Sequence, residues 1–284
     1  MSNTKVSNIL DVQYWIDGVK KNVVRIYSGA SKIWENIKEN ITDKQSLTGA
    51  KYTDKYLRYN CDFSAVSDLT KSFYGNYYIT NLVLDGTANV KVWGAGDSNG
   101  AFSNCTKLST VKLATDNATS FDGIFDGTTY VSDYYANINV NTKLTSIEFT
   151  TTKNVTTFHS SFRSENSLTS LKGIDFSSCL SINAMFYRDG YSGISNLKIF
   201  TAKNFGRQRD LGSTNQYGFD CLLNWGVGSV EAHNSVVDTL YTYSYNRVAN
   251  GFNAITVKLS ANTMNILTVD EKAAITAKGY TLTT

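Results

Sequence analysis

The sequence predicts a mainly β chain with short helical turns, a solenoid of stacked repeats preceded by a small β module. Three observations carry that expectation. Short phrases built as leucine-x-x-(Val/Ile/Leu) recur through the middle of the chain. Pairs of apolar residues spaced by four, each ending in phenylalanine, lie between them. The first 40 residues follow a different pattern, alternating apolar and polar residues around turn dipeptides.

Taken in chain order, "YWIDGVKKNVVRIYSGASKIWENI" has turn signals at Asp17-Gly18 and Ser28-Gly29. The alternation predicts strands near 13–16, 22–27 and 32–35. So small a sheet is marginal alone. Its aromatics Tyr14, Trp15, Tyr27 and Trp34 are the candidate contacts with a partner or with the rest of the chain. Residues 1–40 form this module, and the polar stretch 41–60 reads as a connector or entry cap.

The repeats fill 61–260. Leu108 opens "LSTVKL", Leu144 "LTSIEF" and Leu168 "LTSLKGIDF". Weaker copies open at Leu82, Leu197, Val230 and Ile255, so the basic interval lies in the mid-twenties with insertions. The second anchors are Leu69/Phe73, Phe121/Phe125, Phe158/Phe162 and Ile182/Phe186. A spacing of four predicts both side chains on one face of a helix-like turn. One such unit cannot bury its apolar face alone, whereas stacked units share a core and set their strands side by side in a parallel sheet. Residues 261–284 form the closing cap. There Thr268 and Glu271 make a capping box, Gly279 ends the helix, and "YTLTT" supplies a last strand.

Two resemblances follow from these residues. "FSNCTKLSTVKL" and "FRSENSLTSLKGIDFSSCLSINAMF" resemble the BspA-like type of leucine-rich repeat found in surface and adhesion proteins, with Phe102-Ser103-Asn104-Cys105 and Met185-Phe186 at the expected places. Val23, Ile26, Tyr27, Gly29, Lys32, Ile33 and Trp34 resemble a short module at the start of bacteriophage tail-fibre and other virion proteins. The resemblances imply a non-enzymatic virion structural protein of the fibre or decoration kind, attached to the particle by its N-terminal module. The repeats would then bind a host-surface glycan or protein. Other virion proteins and further copies of the chain are the implied partners. The alternatives are a bacterial surface adhesin and a polysaccharide depolymerase.

Composition narrows the classes. The formal net charge is +3, and no basic stripe with interleaved aromatics stands out, so no nucleic-acid partner is expected. No run of 18 apolar residues occurs, so no membrane insertion is expected. The start lacks a basic region followed by an apolar one, which favours assembly in a cytoplasm, and localisation in a virion over the bacterial cell surface. The 4 cysteines, Cys61, Cys105, Cys179 and Cys221, include no CxxC pair and are expected to be buried thiols.

Chemistry-bearing motifs are sparse, and no catalytic residue, metal or cofactor is expected. His159 beside Ser160 and Ser161 is read as an outward residue on a repeat turn. "GAGDSNG" (94–100) lacks the lysine and the helix of a phosphate site, and reads as a loop insertion. Asp122 and Asp126 share a spacing of four, and Asp133, Asp175, Asp189, Asp210 and Asp220 are further acids. Glycoside cleavage needs two carboxylates across a cleft, which no spacing here establishes. "DGIFDGTTYVSD" does not match the EF-hand spacing for calcium. The candidate ligand residues are Tyr130, Tyr134, Tyr135, Tyr187, Arg188, Asp189 and Tyr191, on insertions 126–143 and 187–196. Tyrosine covers flat apolar faces such as sugar rings, and its hydroxyl can hydrogen-bond.

Overall fold

The computed structural model describes residues 13–16, 19–22, 25–28, 31–35, 39–84, 86–96, 99–126, 143–163, 165–186, 196–207 and 222–284. The fold is mainly β, with few and short helices.

Two antiparallel hairpins begin the chain. β1 (Gln13–Ile16) pairs with β2 (Val19–Asn22), and β3 (Arg25–Ser28) with β4 (Ser31–Glu35). Ile16 partners Val19 and Ser28 partners Ser31, so each hairpin is closed across two residues. The single strand expected at 22–27 is instead two strands in different hairpins. The register of β1 with Val19–Asn22 makes 19–22 a partner strand in the first hairpin, so the chain from Arg25 belongs to the second.

The entry cap follows. β5 (Glu39–Asn40) runs parallel to β6 (Cys61–Asp62), on either side of α1 (Asp54–Asn60). Thr53 caps α1 by accepting a hydrogen bond from the Tyr56 amide, and Asp54 suits the positive first turn. Ile41, Leu47 and Leu57 are buried in the same core as the repeats.

The main sheet is parallel and five-stranded. In chain order its strands are β7 (Asn81–Leu84), β9 (Thr110–Leu113), β11 (Ser146–Phe149), β12 (Ser170–Asp175) and β13 (Ile199–Lys203), and spatial order matches chain order. Leu82, Val111, Ile147, Leu171 and Phe200 are in register and buried. Leu82 therefore matches Val111 and not Leu108, and the buried Ile79 takes the place of Leu108 in that unit. The "NLVL" phrase misleads because its two leucines both face inward within the strand. β12 carries a bulge between Leu171 and Ile174. Gly173, at φ +82°, is needed there, because a Cβ would stand 2.1 Å from the Phe149 carbonyl oxygen.

A second column of parallel pairing links the turns. β8 (Val92–Ala95) pairs with β10 (Ser120–Asp122), and bridges join Asp68 to Val92, Ser120 to Thr157 and Thr157 to Ser181. The anchors Leu69, Trp93, Phe121, Phe158 and Ile182 each follow one of these residues and are buried.

The segment after Leu69, Phe121, Phe158 and Ile182 is a β-turn and not a helical one. The amides of Ser72, Ile124, Ser161 and Met185 donate to the carbonyls of Leu69, Phe121, Phe158 and Ile182. The residue two after the anchor is left-handed in all four: Lys71 (φ 60°), Gly123 (φ 65°), Ser160 (φ 51°) and Ala184 (φ 53°). A 1→4 bond with positive φ at the third position is type II geometry. Parallel hydrogen bonds to the next unit, such as Phe125 N to Ser161 O and Phe162 N to Met185 O, hold this segment extended, which a helical turn would forbid.

The paired phenylalanines form one column. Centroids are 4.9 Å apart for Phe73–Phe102, 5.4 Å for Phe102–Phe125, 6.1 Å for Phe125–Phe162 and 5.8 Å for Phe162–Phe186. All five rings are buried. Phe102 belongs to the Trp93 unit, where "GAGDSNG" separates anchor and phenylalanine. The Ala101 amide donates to the Trp93 carbonyl at 2.7 Å and closes that insertion at its base. Gly100 is obligatory there, since a Cβ would lie 1.8 Å from the Gly123 oxygen.

The ladder ends where helices begin. Val230, expected to open a repeat strand, opens α2 (Val230–Val237) and is 77% exposed. Ser229 caps this helix by accepting from the Ala232 amide, and Glu231 sits in its first turn. A π-helical turn, Asp238–Thr242, continues it. Together they lie along the free edge of β13. Ser235 Oγ accepts from the Phe200 amide at 3.4 Å and from Trp225 Nε1 at 3.0 Å. Thr239 Oγ1 accepts from the Ala202 amide at 3.0 Å and donates to the Phe200 carbonyl at 3.2 Å. Two hydroxyls thus stand in for the next strand, which is how an edge is kept from pairing with another chain.

The strand at Ile255 forms but does not join the main sheet. β14 (Ile255–Lys258) pairs in parallel with β15 (Tyr280–Thr283), across α3 (Ala261–Met264) and α4 (Val269–Ala277). The capping box of Thr268 and Glu271 is present, and Gly279 (φ 98°) follows the helix as expected. Tyr280 ties this unit to the repeats by donating to the Phe205 and Tyr245 carbonyls at 2.7 and 2.6 Å.

Candidate binding surface

Two surfaces are built by the stack. The first is the outward side of the main sheet, where Thr110, Ser146 and Ser170 are in register, as are Lys112, Glu148 and Lys172. Lys112 pairs with Glu148 at 2.7 Å, and Lys172 with Glu231 at 2.5 Å. Thr110 donates to Asn81 Oδ1 at 2.9 Å. At the strand entrances, Thr145 and Thr169 hydroxyls donate to the Ser109 and Thr145 carbonyls at 3.1 and 2.9 Å. The face is polar, nearly balanced in charge and regularly spaced. Beside it, Thr169, Lys198, Ile199, Val227, Gly228 and Ser229 line a cleft of about 320 Å³.

The second surface is the corner from which the tyrosine-rich insertions spring. Tyr130, Tyr134, Tyr135, Tyr187, Arg188, Asp189 and Tyr191 lie outside the described residues. Their roots are described. The insertions follow Phe125-Asp126 and Phe186, members of one phenylalanine column, and rejoin the fold ahead of Leu144 and Leu197. Both therefore leave the same side of the stack, two units apart. The unit between them carries Arg163 and Glu165, both buried, and the first root carries the buried Asp126. Glu165 follows Phe162 as Asn76 follows Phe73 and Cys105 follows Phe102. Sequence spacing did not mark Arg163 or Glu165, although a charged residue in the place of Asn or Cys was a readable signal.

The other candidates divide. Tyr14 and Trp15 lie on β1, Tyr27 on β3 and Trp34 on β4. Asp126 is buried, whereas Asp122 is partly exposed and its carboxylate accepts from the Thr157 hydroxyl at 2.5 Å, so the two do not share an open cleft. Asp175 is a turn cap. Burial opposes its charge, but hydrogen bonds from the Ser177 hydroxyl, Asn204 Nδ2 and the Ser177 amide outweigh burial and hold its carboxyl below the usual range. Asp133, Asp210 and Asp220 lie outside the described residues, as does Cys221. His159 is half-buried, and Ser160 and Ser161 are buried, with the Ser161 hydroxyl donating to the Phe121 carbonyl at 2.7 Å. Among the described residues, no group of histidine, cysteine and acidic side chains is placed to hold a metal ion, and no helix is long and apolar enough to cross a membrane.

Cys61, Cys105 and Cys179 are buried, as expected. Burial pushes the Cys105 thiol up to about 12, and its Sγ donates to the Phe73 carbonyl. Comparison with protein-family models, with curated proteins and with solved structures found no match to this chain.

Proposed function

We propose that the stacked units form a leucine-rich-repeat-like solenoid of the BspA-like type, and that the chain is a non-enzymatic virion protein of the fibre or decoration kind. The observation that carries this reading is the order of two architectures. A pair of antiparallel hairpins comes first, and an in-register parallel ladder with a continuous phenylalanine column follows. In this reading the hairpins attach to the particle, and the ladder serves as a rigid display scaffold. Its insertions, rooted on one side, meet a host-surface glycan or protein. Many copies on one particle turn weak single contacts into firm attachment.

The test is electron microscopy of purified phage particles and of host cells, with gold-labelled antibody against the chain. Label at a tail or capsid fibre is expected. Label on bacterial envelopes with none on particles would overturn the virion reading in favour of an adhesin. Release of reducing sugar from host polysaccharide by the purified chain would overturn the non-enzymatic reading.

A further inference from the structure

The entry end carries a concentration of tyrosine that the repeats do not require. Tyr52, Tyr56, Tyr59, Tyr74, Tyr77 and Tyr78 fall within 27 residues. Asn76 ties the backbone of Tyr52, just ahead of α1, to the segment that carries Tyr77 and Tyr78. The buried Asn76 amide donates to the carbonyls of Leu47 (2.7 Å) and Tyr52 (2.9 Å), and its oxygen accepts from the amides of Tyr78 and Ile79. The Thr80 hydroxyl donates to Asp54 at 3.4 Å, setting the start of α1 beside the residue that follows Tyr78-Ile79. Tyr59, Tyr77 and Tyr78 are 52%, 51% and 46% exposed.

Glu39 sits against this end. Its carboxylate accepts from the Tyr52 hydroxyl (3.0 Å) and the Tyr56 hydroxyl (2.7 Å), and pairs with Lys51 at 2.6 Å. The Lys51 ammonium lies 5.1 and 5.5 Å from the two ring centroids. Glu39 is also only four residues beyond Glu35, the last residue of β4. Four residues span at most about 14 Å, so β4 ends within that reach of Glu39, which is bonded to Tyr52 and Tyr56. Hairpins with strands of four and five residues need a surface to settle on. A tether this short presents them to the face at an effective concentration of order millimolar.

We propose that the tyrosine face of the entry end is the seat of the chain's own N-terminal hairpins, β1 to β4, and so the fixed joint between module and ladder. This holds whatever the module attaches to. The proposed occupant follows from where the N-terminal segment ends, four residues before Glu39.

The experiment is hydrogen exchange read by mass spectrometry on the full chain. It compares the parent with the double variant Tyr77→Ser/Tyr78→Ser and with Tyr59→Ser, each also measured after strong dilution. In the parent, peptides over 13–35 are expected to exchange at least about tenfold more slowly than open chain, at either concentration. In both variants that protection falls, while peptides over 81–84 and 110–113 are unchanged. Should the double variant also disturb the sheet peptides, Tyr59→Ser, on the exposed side of α1, decides. Hairpins that exchange as open chain in the parent would overturn the proposal and leave the face to an outside partner such as a glycan. Protection lost on dilution would overturn it in favour of a second copy. Protection unchanged in Tyr59→Ser and in the double variant would place the seat elsewhere.

Discussion

Replacing Thr239 with valine removes one oxygen and leaves the shape of the side chain nearly unchanged. That oxygen carries two bonds on the edge of β13, from the Ala202 amide and to the Phe200 carbonyl, in a site with no solvent exposure. Valine satisfies neither group, and water does not reach them. A buried donor or acceptor left without a partner costs about 1–3 kcal/mol. With the carbonyl at the low end of that range, Thr239→Val is expected to cost about 2–4 kcal/mol. Thr239→Ser is the control, because it keeps the oxygen and loses one buried methyl group, a cost of about 1 kcal/mol. Urea unfolding followed by tryptophan fluorescence measures both. Trp225 suits this readout, since it is buried and bonded to Ser235 on the same helix. The midpoint should fall further for valine than for serine with the slope unchanged, which identifies a stability effect. A valine variant as stable as the serine variant would refute the reasoning, because the hydroxyl would then not be closing the sheet.

Three further outcomes are expected. Ala184→Gly should stabilise the fold by about 0.5 kcal/mol, because relief of a left-handed alanine exceeds the extra freedom of the unfolded chain; a helical turn would instead lose about 1 kcal/mol, so the sign measured by thermal unfolding separates the two geometries. Glu39 is held below its ordinary value of 4.5, first by the hydrogen bond from Lys51 and then by that from Tyr56. A lowered carboxylate contributes stability above its unfolded value and loses it as pH falls through its folded value. The stability gap between the parent and Glu39→Gln should therefore be full at pH 6 and shrink below about pH 4.5 in urea titrations at successive pH values. Cys105, buried and raised to about 12, should resist iodoacetamide at pH 8 in the folded chain and react once urea unfolds it, as peptide mass spectrometry would show.

How much of this was readable follows residue by residue. Leu108, Leu144, Leu168 and Leu197 were legible because an inward position tolerates only apolar side chains, whatever surrounds it. The four phenylalanine pairs were legible for the same reason, but their spacing of four suggested a helical face. Spacing alone cannot separate a helical turn from an extended segment broken by a type II turn. The neighbouring unit decides between them by offering Ser161 and Met185 carbonyls to the Phe125 and Phe162 amides. The Trp93–Phe102 unit escaped notice because "GAGDSNG" stretches its spacing, although glycines at 94 and 100 marked a close backbone approach. At Val230 the apolar phrase was read as a repeat, while Ser229 and Glu231 already formed a helix start. At the corner surface, the insertions were visible as excess length and tyrosine content. That they leave from one side required the register of the stack.

The sequence by itself determined the repeating apolar positions, the closing helix with its Thr268–Glu271 box, and the break in character near residue 40. Those are local properties, set by side-chain chemistry within a few residues. Only the tertiary structure decided where the ladder stops and which groups close it. The hydroxyls of Ser235 and Thr239 look like any others along the chain. They become the end of the sheet because α2 and the π-helical turn after it lie along β13, where unpaired amides and carbonyls, cut off from water, must find partners.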